Sequence, residues 1–239
     1  MRKVLGALRR ADEDYHMIED GDTVAVGISG GKDSMVLLYA LHLYQNFCKV
    51  RYSVRAYTVD LGFTDFDISV IEDYCASLEI PFTRIKTDIA KIVFDVRKEK
   101  NPCALCAKMR KGALFTRIKQ DGMAKCVFGH HREDCLESLL MSMLYEGRMR
   151  TFKPNTFLDR EGITLLRPLI YLPEKDIVSA AKRNSVPTSK NPCPASGVTK
   201  REEIKKLLAH MNASNPDASD KLLTALKNTA QYSLWDPPQ

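Results

Sequence analysis

Thr23-Val24-Ala25-Val26-Gly27-Ile28-Ser29-Gly30-Gly31-Lys32-Asp33-Ser34 is the stretch whose reading decides the fold. Its apolar opening reads as a buried strand. Ser29-Gly30-Gly31 turns the chain, and Asp33-Ser34 opens an apolar-rich helix over Met35–Phe47. Two adjacent glycines let backbone N–H groups approach a polyanion without Cβ interference. The helix N-terminus behind them adds N–H donors and a favourable dipole. Lys32 contributes a positive charge, and Asp33 a carboxylate able to hold a divalent cation beside phosphates. This is a phosphate cradle, but not a Walker loop, which is longer and ends in Gly-Lys-Ser/Thr.

Working outward, the 239 residues are enough for one large domain, or one domain with a small appendage, and for a proper core. A net charge of +6 is compatible with a polyanionic partner. No apolar run is long enough to span a bilayer. Met1–Asp14 is charged and lacks a signal core, so a cytoplasmic location is expected, with no membrane partner. In such a reducing compartment the seven cysteines read as thiols or metal ligands before disulfides.

Strands are expected at Thr23–Ser29, Tyr52–Asp60, Pro81–Lys86 and Ala124–Phe128, with helices at Asp65–Leu78, Leu105–Gln120 and Glu133–Leu144 between or after them. Asp88–Pro102 has no clear period. The alternation predicts an α/β fold, a doubly wound parallel sheet with its ligand at the carboxyl ends of the strands. Beyond Tyr145 a hairpin pairs Thr156–Leu158 with Ile163–Leu166, and a helix runs over Pro173–Asn184. A cysteine-bearing loop, 185–198, and two polar helices at about 199–211 and 217–232 close the chain. The domain reading is an N-terminal helix at 1–20, a nucleotide domain at 21–184, and a helical C-terminal extension at 185–239.

Two further constellations fall near the same sheet edge. Cys103-Ala104-Leu105-Cys106 is a C-x-x-C pair, and Cys193 lies far downstream in Asn191-Pro192-Cys193-Pro194. Both are read as proline-flanked loops, since proline keeps cysteine out of regular ladders. An iron–sulfur cluster with one open iron, a zinc site and simple thiols are all compatible with this set. Cys48, Cys75, Cys126 and Cys135 sit among apolar neighbours and read as small hydrophobes. Gly129-His130-His131-Arg132-Glu133-Asp134 follows the fourth strand directly. Its histidines read as packing or capping residues, and Asp134 is placed to reach a nucleotide or its Mg²⁺. Val59 and Asp60 end the second strand, where a carboxylate can meet a nucleotide sugar or serve as a strand-end turn residue.

Ser29-Gly30-Gly31-Lys32-Asp33-Ser34 resembles the PP-loop of the adenine-nucleotide α-hydrolase superfamily, whose members cleave ATP between the α and β phosphates. With Met17–Asp22, Cys103-x-x-Cys106, Arg110-Lys111-Gly112, Gly129–Arg132, Asp134, Arg167-Pro168-Leu169 and Glu174-Lys175-Asp176-Ile177, the chain resembles the TtcA/TtuA group of PP-loop tRNA thiolation enzymes. It lacks the extra zinc-binding cysteine pairs of TtuA-like members, so the likeness is to the TtcA side. The resemblance implies ATP and Mg²⁺ as ligands, with Ser29, Gly30, Gly31, Lys32, Asp33, Ser34, Val59, Asp60, Gly129 and Asp134 at the nucleotide. It implies catalytic roles for Lys32, Asp33, Arg110 and Asp134, and a 4Fe–4S cluster on Cys103, Cys106 and Cys193. The implied reaction adenylates a pyrimidine carbonyl, cytidine C2 by likeness to TtcA, and exchanges its oxygen for sulfur. Two departures stand out. Ser196 occupies the place of a second cysteine in the last loop, and Leu61-Gly62-Phe63-Thr64 is short.

Basic residues crowd these motifs. Arg97, Lys98, Lys100, Lys108, Arg110 and Lys111 flank the C-x-x-C pair, and Arg148, Arg150 and Lys153 follow the helix behind Asp134. Lys108, Lys111, Arg148, Arg150 and Lys153 are the expected RNA contacts, since Lys and Arg position an RNA through its phosphates without reading sequence. tRNA is the expected substrate, with a cysteine desulfurase or sulfide as sulfur donor. The assembly stays open between monomer and homodimer. Two competing readings remain at this point: another PP-loop ligase or thiolase acting on a different base or a small molecule, and a non-catalytic, metal-stabilised RNA-binding protein.

Overall fold

Thr23–Gly27 forms β1, and the sheet is built around it. In the computed structural model, which describes residues 1–98, 102–189, 192–195, 200–228 and 230, β2 (Ser53–Asp60), β3 (Phe82–Lys86), β4 (Lys125–Val127), β5 (Asn155–Leu158) and β6 (Ile163–Leu166) join it in the order β3-β2-β1-β4-β6-β5. Every pairing is parallel except β5 with β6, so an antiparallel hairpin closes one edge of the otherwise parallel sheet. Strand order reverses between β1 and β4, which opens a crevice at their carboxyl ends.

The helices are α1 (Arg2–Tyr15), α2 (Lys32–Tyr44), α3 (Ser69–Ser77), α4 (Pro102–Gln120), α5 (Arg132–Glu146), α6 (Glu174–Arg183), α7 (Lys200–Ser214) and α8 (Ala218–Lys227), with a π-helical turn at Lys91–Val96. Alternate residues of a strand face opposite ways, and both faces of this sheet are covered. On one face Ala25, Tyr57, Val59, Cys126, Ile163 and Leu165 pack with Leu114, Phe115 and Ile118 of α4 and with Ile89 and Val93. On the other, α2 packs on β1 and β2, and α1 and α6 pack on α2. α2 is buried along most of its length, and this explains why its apolar residues do not form a single stripe.

The chain divides into two compact units: residues 1–131 with 153–197, and residues 132–152 with 198–239. The first holds the whole sheet. The second is a helical unit in which Leu136 and Leu140 of α5 meet Ile204 and Leu208 of α7, with Leu222, Leu223 and Leu226 of α8 packed against them. Its buried Glu137 accepts a hydrogen bond from Arg201 at 2.9 Å. These cuts differ from linear segments at 1–20, 21–184 and 185–239, because α5 leaves the sheet's sequence neighbourhood to form a core with helices more than 50 residues later. None of the described helices is long and apolar enough to cross a membrane.

Candidate active site

The loop between β1 and α2 is locked from within. Ile28 N–H donates to Tyr57 O at 2.8 Å, and the Thr58 hydroxyl donates to Ile28 O at 3.0 Å, tying the end of β1 to β2. Gly30 takes φ +80°, a left-handed conformation that glycine adopts without cost. Gly31 is the extended N-cap of α2, with no side chain capping the helix. The Ser34 hydroxyl donates to Gly31 O at 3.0 Å and accepts from Ser29 N–H at 3.2 Å. Ser34 therefore braces the loop, while the helix N-terminus is left to an anion.

Two close approaches fix where this loop lies. A Cβ on Gly129, just past β4, would stand 2.9 Å from both the carbonyl carbon and oxygen of Asp33, and 3.1 Å from Ser34 N. A Cβ on Gly30 would stand 2.9 Å from Ser189 Cβ. Ser189 N–H donates to Gly30 O at 2.9 Å, and its hydroxyl donates to Asp67 O at 3.0 Å. Ser189 is thus seated directly on the phosphate loop.

Charge is concentrated on the loop. Lys32 Nζ donates to Glu174 Oε1 at 2.9 Å and to Asp33 Oδ2 at 3.3 Å. Burial pulls the Lys32 ammonium down, but the hydrogen bonds and charges of Glu174 and Asp33 outweigh it and hold it above the usual lysine value. Asp33 Oδ1 is buried and accepts no hydrogen bond, although Lys32 Nζ stands 3.2 Å away as an ion pair. His131 Nε2, on a buried ring, lies 3.9 Å from that same oxygen. A buried carboxylate oxygen with no donor aimed at it, beside a phosphate cradle, fits a hard divalent cation such as Mg²⁺. Residue by residue, Glu174 and His131 join the site that the sequence assigned to the Ser29–Ser34 loop.

Val59 and Asp60 close β2 at the same edge, with Asp60 buried. Asp60 Oδ1 accepts from Gly62 N–H at 2.9 Å, and Oδ2 accepts from Arg84 Nε at 2.9 Å. Burial raises its carboxyl, but Gly62 and Arg84 outweigh that and leave it below the usual carboxylate value. The Asp60 side chain thereby shapes the turn at Leu61-Gly62, the strand-end role weighed in the sequence beside a sugar contact.

The C-x-x-C pair does not lie in a loop. Pro102 begins α4, and Cys103 and Cys106 occupy its first turn. Proline suits that position, because a helix's first N–H groups have no internal acceptor. The spacing of three then puts both thiols on one face. Cys103 is exposed, and Cys106 and Cys193 are partly buried. Burial pushes the Cys106 thiol up; Arg110 draws it down, and Cys193 and Cys103 push it up further, so both lie near enough to Cys106 to be felt there. Among the described residues no three His, Cys, Asp or Glu groups close on one point at ligand distance, so the thiols form a neighbourhood and not a closed shell. Their soft donor chemistry suits an iron–sulfur group. Cys75, Cys126 and Cys135 are buried, as expected of small hydrophobes, and Cys48 is partly so.

Lys108 and Lys111 are exposed on α4. The Lys111 ammonium is lowered by desolvation and by the neighbouring charges of Arg167 and Arg110, which marks a positive locus beside the cysteines. Lys153 is exposed, and its carbonyl accepts from the buried Arg167 guanidinium. Asp134, Arg148 and Arg150 belong to the second unit, where Asp134 Oδ1 lies 3.7 Å from Arg201. Lys100 and Ser196 lie outside the described residues. Glu174, Ser189 and Arg84 were not singled out by sequence, though Glu174 lies within one of the quoted motifs, and His131 was read as a packing or capping residue. A cavity of about 810 Å³ at the opposite, amino-terminal edge of the strands carries no comparable chemistry. Its Lys125 is paired with Asp22 and Glu19, and its Asp121 with Tyr57 and Arg117.

A glycine-turned phosphate cradle at the switch point of a parallel sheet, with its lysine and aspartate at the helix start, defines a PP-loop nucleotide-binding fold. The chain belongs to the PP-loop domain family, whose model matches residues 7–211. It is 32% identical to the tRNA-cytidine(32) 2-sulfurtransferase of Citrifermentans bemidjiense, over 98% of this chain and 93% of that protein. It is 34% identical to the protein of the same name from Geobacter metallireducens, with the same two coverages. Its fold matches that of the U34-tRNA thiolase NcsA from Methanococcus maripaludis, solved with its 4Fe–4S cluster, at a TM-score of 0.77 and 19% identity, over 97% of this chain and 80% of that one.

Proposed function

We propose that this protein is an ATP-dependent tRNA sulfurtransferase that converts the C2 carbonyl of a cytidine to a thiocarbonyl. The observation that carries the reading is the contact that Ser189, upstream of Cys193, makes with the phosphate loop. Ser189, four residues before Cys193, is hydrogen-bonded to Gly30 of the phosphate loop. The near full-length likeness to relatives named tRNA-cytidine(32) 2-sulfurtransferase supports the choice of substrate.

In this scheme the phosphates of ATP lie on the α2 N-terminus and Lys32, and Asp33 would hold Mg²⁺ through its buried Oδ1. The cytidine O2 attacks the α-phosphorus, and the bond to the β-phosphate oxygen breaks, releasing pyrophosphate. Hydrosulfide, supplied as sulfide or by a cysteine desulfurase, then adds to C2. The former carbonyl oxygen leaves in AMP, and loss of the sulfur-bound proton leaves C2=S, with no net oxidation or reduction. Cys103, Cys106 and Cys193 would hold an iron–sulfur group; with three protein ligands such a group supplies an open, thiophilic iron for sulfur. Arg110 sets a positive charge beside these thiols. The target base must be unstacked to reach the α-phosphate, which favours a single-stranded tRNA loop. The setting is the cytoplasm, where tRNA, ATP and reduced thiols coexist.

The test combines the anaerobically reconstituted protein with tRNA, MgATP and sulfide, followed by nucleotide chromatography and nucleoside mass spectrometry. AMP, pyrophosphate and 2-thiocytidine are expected in equal amounts, and ADP as the main nucleotide product overturns the reading. Cys103→Ala, Cys106→Ala and Cys193→Ala should each remove most of the visible absorption and the thiolation, whereas Cys48→Ala retains both. A colourless, zinc-loaded protein that still thiolates would refute the cluster assignment.

The exposed cations give a second expected result. Arg148→Glu with Arg150→Glu should weaken tRNA binding by roughly tenfold or more at moderate salt, because each phosphate contact contributes through counterion release. The wild-type affinity should also fall steeply with salt, while ATP binding stays unchanged. Equal loss of ATP and tRNA binding would indicate misfolding instead of a lost RNA contact.

A further inference from the structure

We propose that Glu174 is the positioning residue for the phosphate-loop lysine: it anchors the Lys32 ammonium so that the lysine meets the β- and γ-phosphates already in place. The inference rests on the phosphate-cradle reading above and adds a residue from a different part of the chain. Lysine has four rotatable side-chain bonds and three N–H donors. Left alone in an open loop, it would lose most of that freedom only when a phosphate arrived. Here one donor is spent on Glu174 Oε1 at 2.9 Å and a second on Asp33, so the third is directed by the other two.

Glu174 is itself firmly placed. It opens α6 behind Pro173, whose φ of −64° and extended ψ make it the N-cap, and a carboxylate in that first turn is favoured by the helix dipole. α6 packs on α2, the helix that Lys32 begins. The approach to α6 is held by Leu169, Ile170 and Leu172, all buried to within 2% of fully. The other first-turn carboxylate, Asp176, accepts from Lys3 at 2.9 Å, while Glu174 accepts from Lys32. The Lys32 and Glu174 side chains keep 32% and 23% exposure, so the pair is sheltered yet open to a ligand on one side.

A carboxylate so near bound phosphates has an opposite possible effect: by competing for Lys32 and repelling the ligand it would weaken binding. The two effects give opposite signs, and calorimetry of the full-length protein with magnesium pyrophosphate, and separately with AMP, reads the sign. Glu174→Ala should weaken pyrophosphate roughly tenfold, the scale of one charge-assisted hydrogen bond, and raise KM for ATP similarly. AMP, which lacks the distal phosphates, should bind as in wild type. Glu174→Gln, which keeps an acceptor oxygen, should recover part of the loss. In the background of Lys32→Ala, adding Glu174→Ala should cost nothing further for pyrophosphate, since the glutamate acts only through the lysine. Tighter pyrophosphate binding by Glu174→Ala, equal weakening of AMP, or full additivity with Lys32→Ala each overturns the assignment. A wild-type protein that binds neither pyrophosphate nor ATP instead removes the phosphate cradle on which it stands.

Discussion

Replacing Asp33 with alanine should lower AMP-forming turnover by about three orders of magnitude, the scale of losing a group that organises charge in a phosphoryl or acyl-type transition state. Asp33 Oδ1 is buried with no hydrogen bond to it, His131 Nε2 stands 3.9 Å away, and Lys32 leans across from Glu174. Such an oxygen is costly to keep unless a cation completes it. The substitution removes that cost together with the proposed metal ligand, so the fold should survive. Lys32 keeps its bond to Glu174, and the Asp33 side chain is only partly enclosed, with 32% of it exposed. Thermal melting within a few degrees of wild type, with turnover lost, is the expected pair of results. Turnover above one tenth of wild type, measured by release of AMP, would show that Asp33 is not the metal ligand.

The second large effect comes from a residue with no side chain. Gly129→Ala places a methyl group 2.9 Å from the carbonyl carbon and oxygen of Asp33 and 3.1 Å from Ser34 N. All three neighbours are backbone, so no rotamer change can relieve the contact. The end of β4 or the start of α2 must move, at a cost of about 1–3 kcal/mol for overpacking. The movement falls on the loop that seats the phosphates, where a shift of this kind costs about a hundredfold in turnover. Gly112→Ala is the matched control: a Cβ there meets nothing within 4 Å, and alanine in a helix is favoured over glycine. Equal activity of the two variants would mean that the β4 end does not set the geometry of the phosphate loop.

The parts of this site that were legible in sequence are those encoded by neighbours in the chain. The apolar run, the two glycines and Lys32-Asp33 specify strand, turn and helix start within a dozen residues. The parallel, doubly wound sheet followed from alternating elements, and the hairpin of β5 and β6 from its turn residues. The start of α4 was placed at Leu105, leaving Cys103 outside it, because Pro102 was read as stiffening a loop, when at the first turn of a helix the missing N–H is no loss. Glu174 and Ser189 were not legible because their partners are distant in sequence: Lys32 lies 142 residues from Glu174. Asp60 shows a different limit. Its place at a strand end was readable, but Arg84, which takes up its carboxylate from the neighbouring strand, depends on β2–β3 register. The two-unit division was hidden for a similar reason, since α5 finds its core partners in α7 and α8.

The seating of Ser189 on Gly30 has a consequence for the chain while it is being made. Ser29 to Ser34 leaves the ribosome early, yet Gly129, Glu174 and Ser189 follow it by roughly a hundred residues or more. Contacts so far apart close late, because the loop entropy must be met before they form. At bacterial-type elongation rates of about 5–20 residues per second, the nascent phosphate loop waits many seconds for these neighbours. During that interval it has its glycines and its lysine but neither the Glu174 anchor nor the β4 end that sets its position. The order of synthesis therefore leaves the phosphate loop without these neighbours until the chain has been made through Ser189.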